Sequence, residues 1–189
     1  MIIIDEKMKI LKRAVFLPIL FLLIFSSVSY ALNTSNIIAT VTIIEKLVIN
    51  LISPVNGAYY YKLKVPLNFS LNVKASWIGY SLDNEKNKTI TGNTSLTGLK
   101  DGKHSIIVYA NDSYGNNAST SKVSFSYCLA DINGDKKVNW SDLILISKHM
   151  GQKCKSKNYD PAYDLNDDCS INIFDMFIVL SNFGKTCRI

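Results

Sequence analysis

Two twelve-residue stretches set the strongest constraint on this chain: DINGDKKVNWSD, residues 131–142, and DLNDDCSINIFD, residues 164–175. Each carries acidic or amide side chains at places one, three, five, nine and twelve. The two stretches begin 33 residues apart, and other landmarks shift by the same step: Val138 to Ile171, Gly151 to Gly184, Cys154 to Cys187. One Asp/Asn-rich stretch is ordinary turn chemistry. A second copy in register is an internal duplication.

The spacing suits a hard cation. Calcium takes six to eight oxygens at about 2.3–2.6 Å, and a twelve-residue loop offers them at alternate places. The expected donors of the first loop are Asp131, Asn133, Asp135, the backbone carbonyl of Lys137, Asn139 and Asp142. Those of the second are Asp164, Asn166, Asp168, the carbonyl of Ser170, Asn172 and Asp175. Two calcium ions are therefore expected, and three carboxylates against each divalent ion leave about one negative charge per loop. Val138 and Ile171, at the eighth place, are expected to point inward and tie one loop to the other.

The loops depart from the EF-hand pattern in three ways. Lys136 and Cys169 stand at the sixth place, where glycine is usual, and the twelfth is Asp rather than Glu. No amphipathic helix precedes either loop. A helix is expected after each: one over residues 141–150 burying Leu143, Ile146 and Met150, and one over residues 174–183 burying Phe174, Phe177 and Ile178. Gly151 and Gly184 are the expected terminators.

This repeated loop–helix closely resembles the dockerin domain, over residues 128–189. The resemblance implies a small all-α, EF-hand-related fold with two bound calcium ions. It also implies docking to a cohesin-type partner through loop positions ten and eleven, here Trp140, Ser141, Ile173 and Phe174. Many clostridial dockerins carry Ser or Thr there, so Trp140, Ile173 and Phe174 depart from that pattern. They are open to two readings, partner contact or part of a small core.

All four cysteines, Cys128, Cys154, Cys169 and Cys187, fall in this last third. None has zinc-site spacing, and two disulfides in an exported unit are expected. Three pairings are possible. Packing the ends of the half-hands together favours Cys128 with Cys187 and Cys154 with Cys169.

Residues 50–127 have an all-β pattern of short alternating runs separated by Gly, Asn and Asp, which indicates a sandwich. Val65, Leu67, Phe69, Leu71 and Val73 share one face of the clearest run. The stretches GYSLDN and NTSLTGLKDGKHSIIVYANDSYGN resemble the Ig-like modules of archaeal and bacterial surface proteins, which implies a spacer or adhesive unit. Residues 32–49 read either as a linker or as an extra strand.

Lys7, Lys9, Lys12 and Arg13 lead into an apolar core over residues 14–25 and a small-residue site at Ser29 and Ala31, the order of a secretory signal peptide, residues 1–31. MKILKR from Met8 is an alternative opening. That apolar core is shorter than the roughly 20 residues of a membrane span, so a secreted or cell-surface protein with no span after signal removal is expected. Sequons at Asn33, Asn68, Asn87, Asn93, Asn111 and Asn117 are acceptors for N-linked glycan in such a protein. Asn139 also heads a sequon but is reserved as a ligand.

The net charge of +6 comes from scattered lysines, and residues 128–189 balance eight basic against eight acidic groups. Nothing in it marks nucleic-acid binding. No nucleophile–base motif is present, and His104 and His149 read as surface or edge residues, so no enzyme is expected. Tyr59, Tyr60, Tyr61, Trp77 and Tyr80 read as sandwich packing, or alternatively as a sugar-stacking platform for cell-surface glycans.

Overall fold

The computed structural model describes residues 26–27 and 44–188. The signal-like segment other than Ser26 and Ser27, the sequon asparagine Asn33 and residues 32–43 lie outside the described residues. Ser26–Ser27 (β1) pairs with Ile44–Glu45 (β2).

The β-region is built from Ile49–Ser53 (β3), Tyr59–Tyr60 (β4), Lys64–Leu71 (β5), Trp77–Leu82 (β6), Lys88–Ile90 (β7), Thr94–Thr97 (β8), Gly102–Asn111 (β9), Asn117–Ser119 (β10) and Val123–Tyr127 (β11). One sheet runs β3-β5-β8. The other runs β4-β11-β9-β6-β7, with β10 on the far half of β9. Their inner faces pack as a sandwich, with Val65, Leu67 and Phe69 of β5 against Tyr80, Ile106, Val108, Phe125 and Tyr127. Alternation on β5 holds up to Phe69. The strand ends at the half-buried Leu71, so Val73 lies beyond it.

Two aromatic positions show how the sheet faces are used. Trp77 and Gly79 share the outer face, and the indole lies so close over Gly79 that an added Cβ would come within 2.5 Å of Trp77 Cζ2. The indole N–H donates to Thr89 Oγ1 at 3.0 Å. His104, expected at the surface, is instead buried between the Asp83 carboxylate and the Lys100 carbonyl, at 2.7 Å from each. Its strand position points inward, and a polar ring is tolerated there because both nitrogens have partners.

After β11 come two helices, Trp140–His149 (α1) and Ile173–Ser181 (α2), with a short 3-10 turn at Pro161–Tyr163. They pack over a small core of Ala130, Val138, Leu143, Ile146, Leu165 and Val179. Disulfide Cys128–Cys187 lies in this core, and Cys154–Cys169 joins two exposed residues outside it, the two spanning 59 and 15 residues of chain. By the chain-entropy argument they contribute about 4 and about 3 kcal/mol. Among the described residues no helix is long and apolar enough to cross a membrane.

The two regions share a seam. The chain leaving β11 stays paired with the chain leaving β4: the Cys128 amide donates to the Tyr60 carbonyl and the Ala130 amide to the Tyr61 carbonyl, both at 2.9 Å. Leu129 packs against both cores. Farther along, the Leu63 amide donates to the Leu165 carbonyl at 3.0 Å, and Lys62 forms an ion pair with Asp167 at 2.7 Å.

The tight fit at Gly79 yields a test. Gly79→Ala is expected to displace the Trp77 indole and to lower unfolding stability by about 1–3 kcal/mol in a denaturant titration. Stability equal to the wild type would contradict the packing.

Candidate calcium loops and helix face

Each loop is organised by its first and last aspartates. Asp131, Asp142, Asp164 and Asp175 are all fully buried. Asp142 accepts from the amides of Ile132 (2.9 Å) and Asn133 (3.3 Å) with one oxygen and from Asn139 (2.9 Å) with the other. Asp175 repeats this with Leu165 (2.8 Å), Asn166 (3.4 Å) and Asn172 (2.8 Å). The twelfth place is also the third residue of the helix, so each carboxylate completes a capping box while holding the start of its loop. Asn139 and Asn172 are the N-caps, accepting from the amides of Ser141 (2.7 Å) and Phe174 (2.8 Å). The amide group of Asn139 donates to Asp135 at 3.2 Å, a bond that a glycan on that nitrogen would disturb.

The remaining donors line the loop. Asn133 and Asn166 accept from the amides of Asp135 and Asp168 and donate to those residues' carboxylates. Asp135 and Asp168 in turn accept from the amides of Lys137 and Ser170, both at the seventh place. The Asp135 carboxyl is held below its usual range, first by the Asn133 hydrogen bond.

Backbone geometry explains the missing glycines. Lys136 and Cys169 have φ of +69° and +70°, the left-handed turn for which glycine is the ordinary choice. The loop shape survives without it. Cys169 is also tied by its disulfide to Cys154, whose amide donates to the Cys169 carbonyl at 3.1 Å.

Val138 and Ile171 are fully buried, as expected, but they do not tie loop to loop. The Val138 amide donates to the Lys185 carbonyl and accepts, through its own carbonyl, from Gly184. Ile171 makes the same pair with Gln152 and Gly151. Each loop is therefore pinned to the segment after the other helix, because the helices run past each other and bring those ends alongside.

The donor set fits a hard divalent cation. Every expected ligand atom is oxygen, from carboxylate, amide or carbonyl groups. Among the described residues, none of the four buried aspartates has a Lys, Arg or His partner. Buried charges are ordinarily paired or metal-bound, so this arrangement calls for an external positive charge. The group of Asp101, Cys128 and Cys187 is no rival site, since both sulfurs are joined in a disulfide.

Two hydroxyls escaped the sequence analysis. Tyr59 donates to Asp131 Oδ2, and Tyr159 donates to Asp164 Oδ2 at 2.6 Å. Burial first, and then this bond, raises the Tyr59 phenol above its ordinary value. The bond to Asp164 is the main cause that pushes Tyr159 up to about 12. Both remain protonated donors at neutral pH. No sequence motif marks them, because the two stand at unrelated distances from their aspartates.

The helix faces correct the expected core. Met150, Phe174 and Phe177 are exposed, and α2 instead buries Asp175 and Val179. Trp140 is 69% exposed, Phe174 65% and Phe177 64%, and Ile144, Ile173 and Leu180 are also open to solvent. Ser141 is exposed too. The Trp140 ring meets Phe183 edge-on at 5.2 Å, joining the start of α1 to the end of α2. All four expected contact residues thus lie on the surface, together with Met150 and Phe177, which were expected inside, and Ile144 and Leu180.

The aromatic residues of the β-region divide: Tyr59, Tyr60 and Tyr61 line one surface cleft, while Tyr80 is buried in the core and Trp77 lies on the opposite face of β6 from Tyr80. His149 stacks on Tyr163 with ring centroids 3.7 Å apart, a packing role. Asn87, Asn93, Asn111 and Asn117 are exposed, whereas Asn68 is half-buried on β5.

The strained sixth place gives a direct test. Lys136→Gly removes the left-handed penalty of a side-chain-bearing residue, about 1–2 kcal/mol, against a smaller entropic loss. A net gain of about 0.5–1 kcal/mol is expected in thermal unfolding at saturating calcium. A loss of stability would contradict the assigned backbone.

Over 84 residues, 41% of this chain, the sequence is 37% identical to halomucin of Haloquadratum walsbyi; the match spans 1% of that protein's length. The fibronectin(III)-like modules of Clostridium thermocellum CbhA are 20% identical, covering 42% of this chain and 93% of theirs, with a TM-score of 0.34. An N-terminal interface mutant of a type II Cohesin-X-Dockerin complex from Acetivibrio cellulolyticus is 15% identical. It covers 75% of this chain and 97% of that one, with a TM-score of 0.30. The model of the dockerin type I domain, a calcium-binding docking module, matches residues 129–183. That segment, with its duplicated loops and two capped helices, belongs to the dockerin type I family.

Proposed function

We propose that this chain is an exported, non-catalytic docking protein. Its dockerin domain, residues 128–189, holds two calcium ions and binds a cohesin-type domain. The Ig-like sandwich, residues 50–127, serves as spacer or adhesive unit. Residues 1–31 are read as the signal peptide removed on export, and the exposed sequon asparagines Asn87, Asn93, Asn111 and Asn117 as a glycosylated surface.

One observation carries the docking reading. The dockerin segment turns Trp140, Ile144, Ile173, Phe174, Phe177 and Leu180 outward, on a unit that has a buried core of its own. On α2 these side chains recur at residues 173, 174, 177 and 180, one stripe of the helix. A contiguous apolar surface of this kind marks an interaction site on a soluble unit. Aromatic residues at its centre have the character of binding hot spots. Bound calcium would supply the positive charge that the buried aspartates lack and so hold both helices in place to present the stripe.

Calcium dependence is tested on the full chain. Chelation is expected to reduce the helical circular dichroism signal, and Asp131→Ala with Asp164→Ala to abolish the response to calcium. An unchanged signal in chelator would defeat the calcium assignment.

Docking is tested with a panel of purified cohesin domains, in calcium and in chelator. Calcium-dependent binding to at least one is expected, and Phe174→Asp with Phe177→Asp should weaken it by about thirtyfold or more, the cost of losing a hot spot of at least about 2 kcal/mol. A calcium response without binding to any cohesin would leave the repeat as a folding cap of a structural surface protein.

A further inference from the structure

We propose that the β-sandwich completes the first calcium loop: Tyr59, on β4, is a positioning residue for Asp131, and does there what Tyr159 does for Asp164. The inference rests on the calcium reading above, and concerns residues of this chain that hold the ligands.

The first aspartate is enclosed in the same way in both loops. Asp131 Oδ1 accepts from the Asp135 amide at 3.2 Å, and its Oδ2 accepts from the Lys136 amide at 2.8 Å and from the Tyr59 hydroxyl. Asp164 Oδ1 accepts from the Asp168 amide at 3.1 Å, and its Oδ2 from the Cys169 amide at 2.8 Å and the Tyr159 hydroxyl at 2.6 Å. Two donors on one oxygen fix the carboxylate plane and leave the other oxygen with a single longer bond. Such outer hydrogen bonds orient a metal ligand.

The two hydroxyls reach this common place from different parts of the chain. Tyr159 stands five residues before Asp164, within its own repeat. Five residues before Asp131 stands Ser126, on β11, with a much shorter side chain. The strand partner of Ser126 across the parallel β4–β11 ladder is Tyr59. The sheet thus brings in a phenol beside the position where the first repeat lacks one. Cross-strand neighbours lie close enough for this exchange.

A consequence follows for the whole molecule. The hydrogen bonds on Asp164 all come from its own repeat, but those on Asp131 are complete only while β4 stays paired with β11. An ion that prefers the held aspartate must therefore stabilise that pairing, and by reciprocity the pairing must tighten the ion. The seam amides of Cys128 and Ala130, bonded to the Tyr60 and Tyr61 carbonyls, lie next to this contact and report on it.

The test is a calcium titration of the full chain followed by nuclear magnetic resonance, with the Lys136 and Cys169 amides reporting the two loops separately. Tyr59→Phe is expected to weaken calcium at the first loop by about tenfold and to leave the second unchanged, and Tyr159→Phe to do the reverse. In the wild type, calcium should slow hydrogen exchange at Cys128 and Ala130 by about tenfold or more, and by much less in Tyr59→Phe. Calcium binding in the wild type with an unchanged first loop in Tyr59→Phe would overturn this inference alone, as would equal weakening of both loops. No calcium response at either loop in the wild type would overturn the calcium reading and this inference with it. Should Tyr59→Phe fail to fold, wild-type exchange at Cys128 and Ala130 decides, and insensitivity to calcium rejects the linkage.

Discussion

The C-terminal third depends on one kind of contact, a short buried carboxylate at the twelfth place of each loop. Asp142 and Asp175 each gather three backbone amides, two from the opening of the loop and one from the helix cap. Hydrogen bonds to a charged group are worth about 1.5–3 kcal/mol each. A loop of twelve residues is thereby closed on itself and joined to the first turn of a helix.

Because both loops are closed in this way, the duplication becomes a pseudo-symmetric pair. Val138 is bonded to the chain after α2, and Ile171 to the chain after α1. Each repeat is thus bonded to the tail of the other. Two breaks in the symmetry involve the β-sandwich. Cys187 is bonded to Cys128, at the end of β11, whereas its counterpart Cys154 is bonded within the repeats to Cys169. Asp131 takes its hydroxyl from β4, whereas Asp164 takes it from its own repeat. The first repeat therefore takes a hydrogen bond to its first aspartate from the sandwich, whereas the second meets it through the Cys128–Cys187 disulfide, Leu63–Leu165 and Lys62–Asp167.

Much of this was legible in the residues. The oxygen-bearing places of the loops, the alternation of Val65, Leu67 and Phe69, and the helices after each loop follow from short-range rules of spacing, and the structure shows them. The faces of α2 were not legible. Its sequence IFDMFIVLS is apolar nearly all round, so periodicity cannot choose which side turns inward. The choice is made by Asp175, whose carboxylate must reach the loop amides. Fixing that residue inward rotates Phe174 and Phe177 outward. His104 was misplaced for a related reason. A polar ring on a strand reads as exposed unless its partners are known, and Asp83 lies 21 residues away.

The sequence by itself determined that two twelve-residue oxygen-rich loops, each leading into a helix, follow a β-rich segment. Those features depend on residues within one turn or one loop of each other. Only the tertiary structure decided which aromatic side chains face solvent, which chain segment each loop pairs with, and that Tyr59 reaches Asp131 across 72 residues. Such contacts are set by packing of distant segments, and no local spacing encodes them. Trp140 is settled in the same way. It stands exposed at the head of α1 because Asp142, two residues on, takes the inward place.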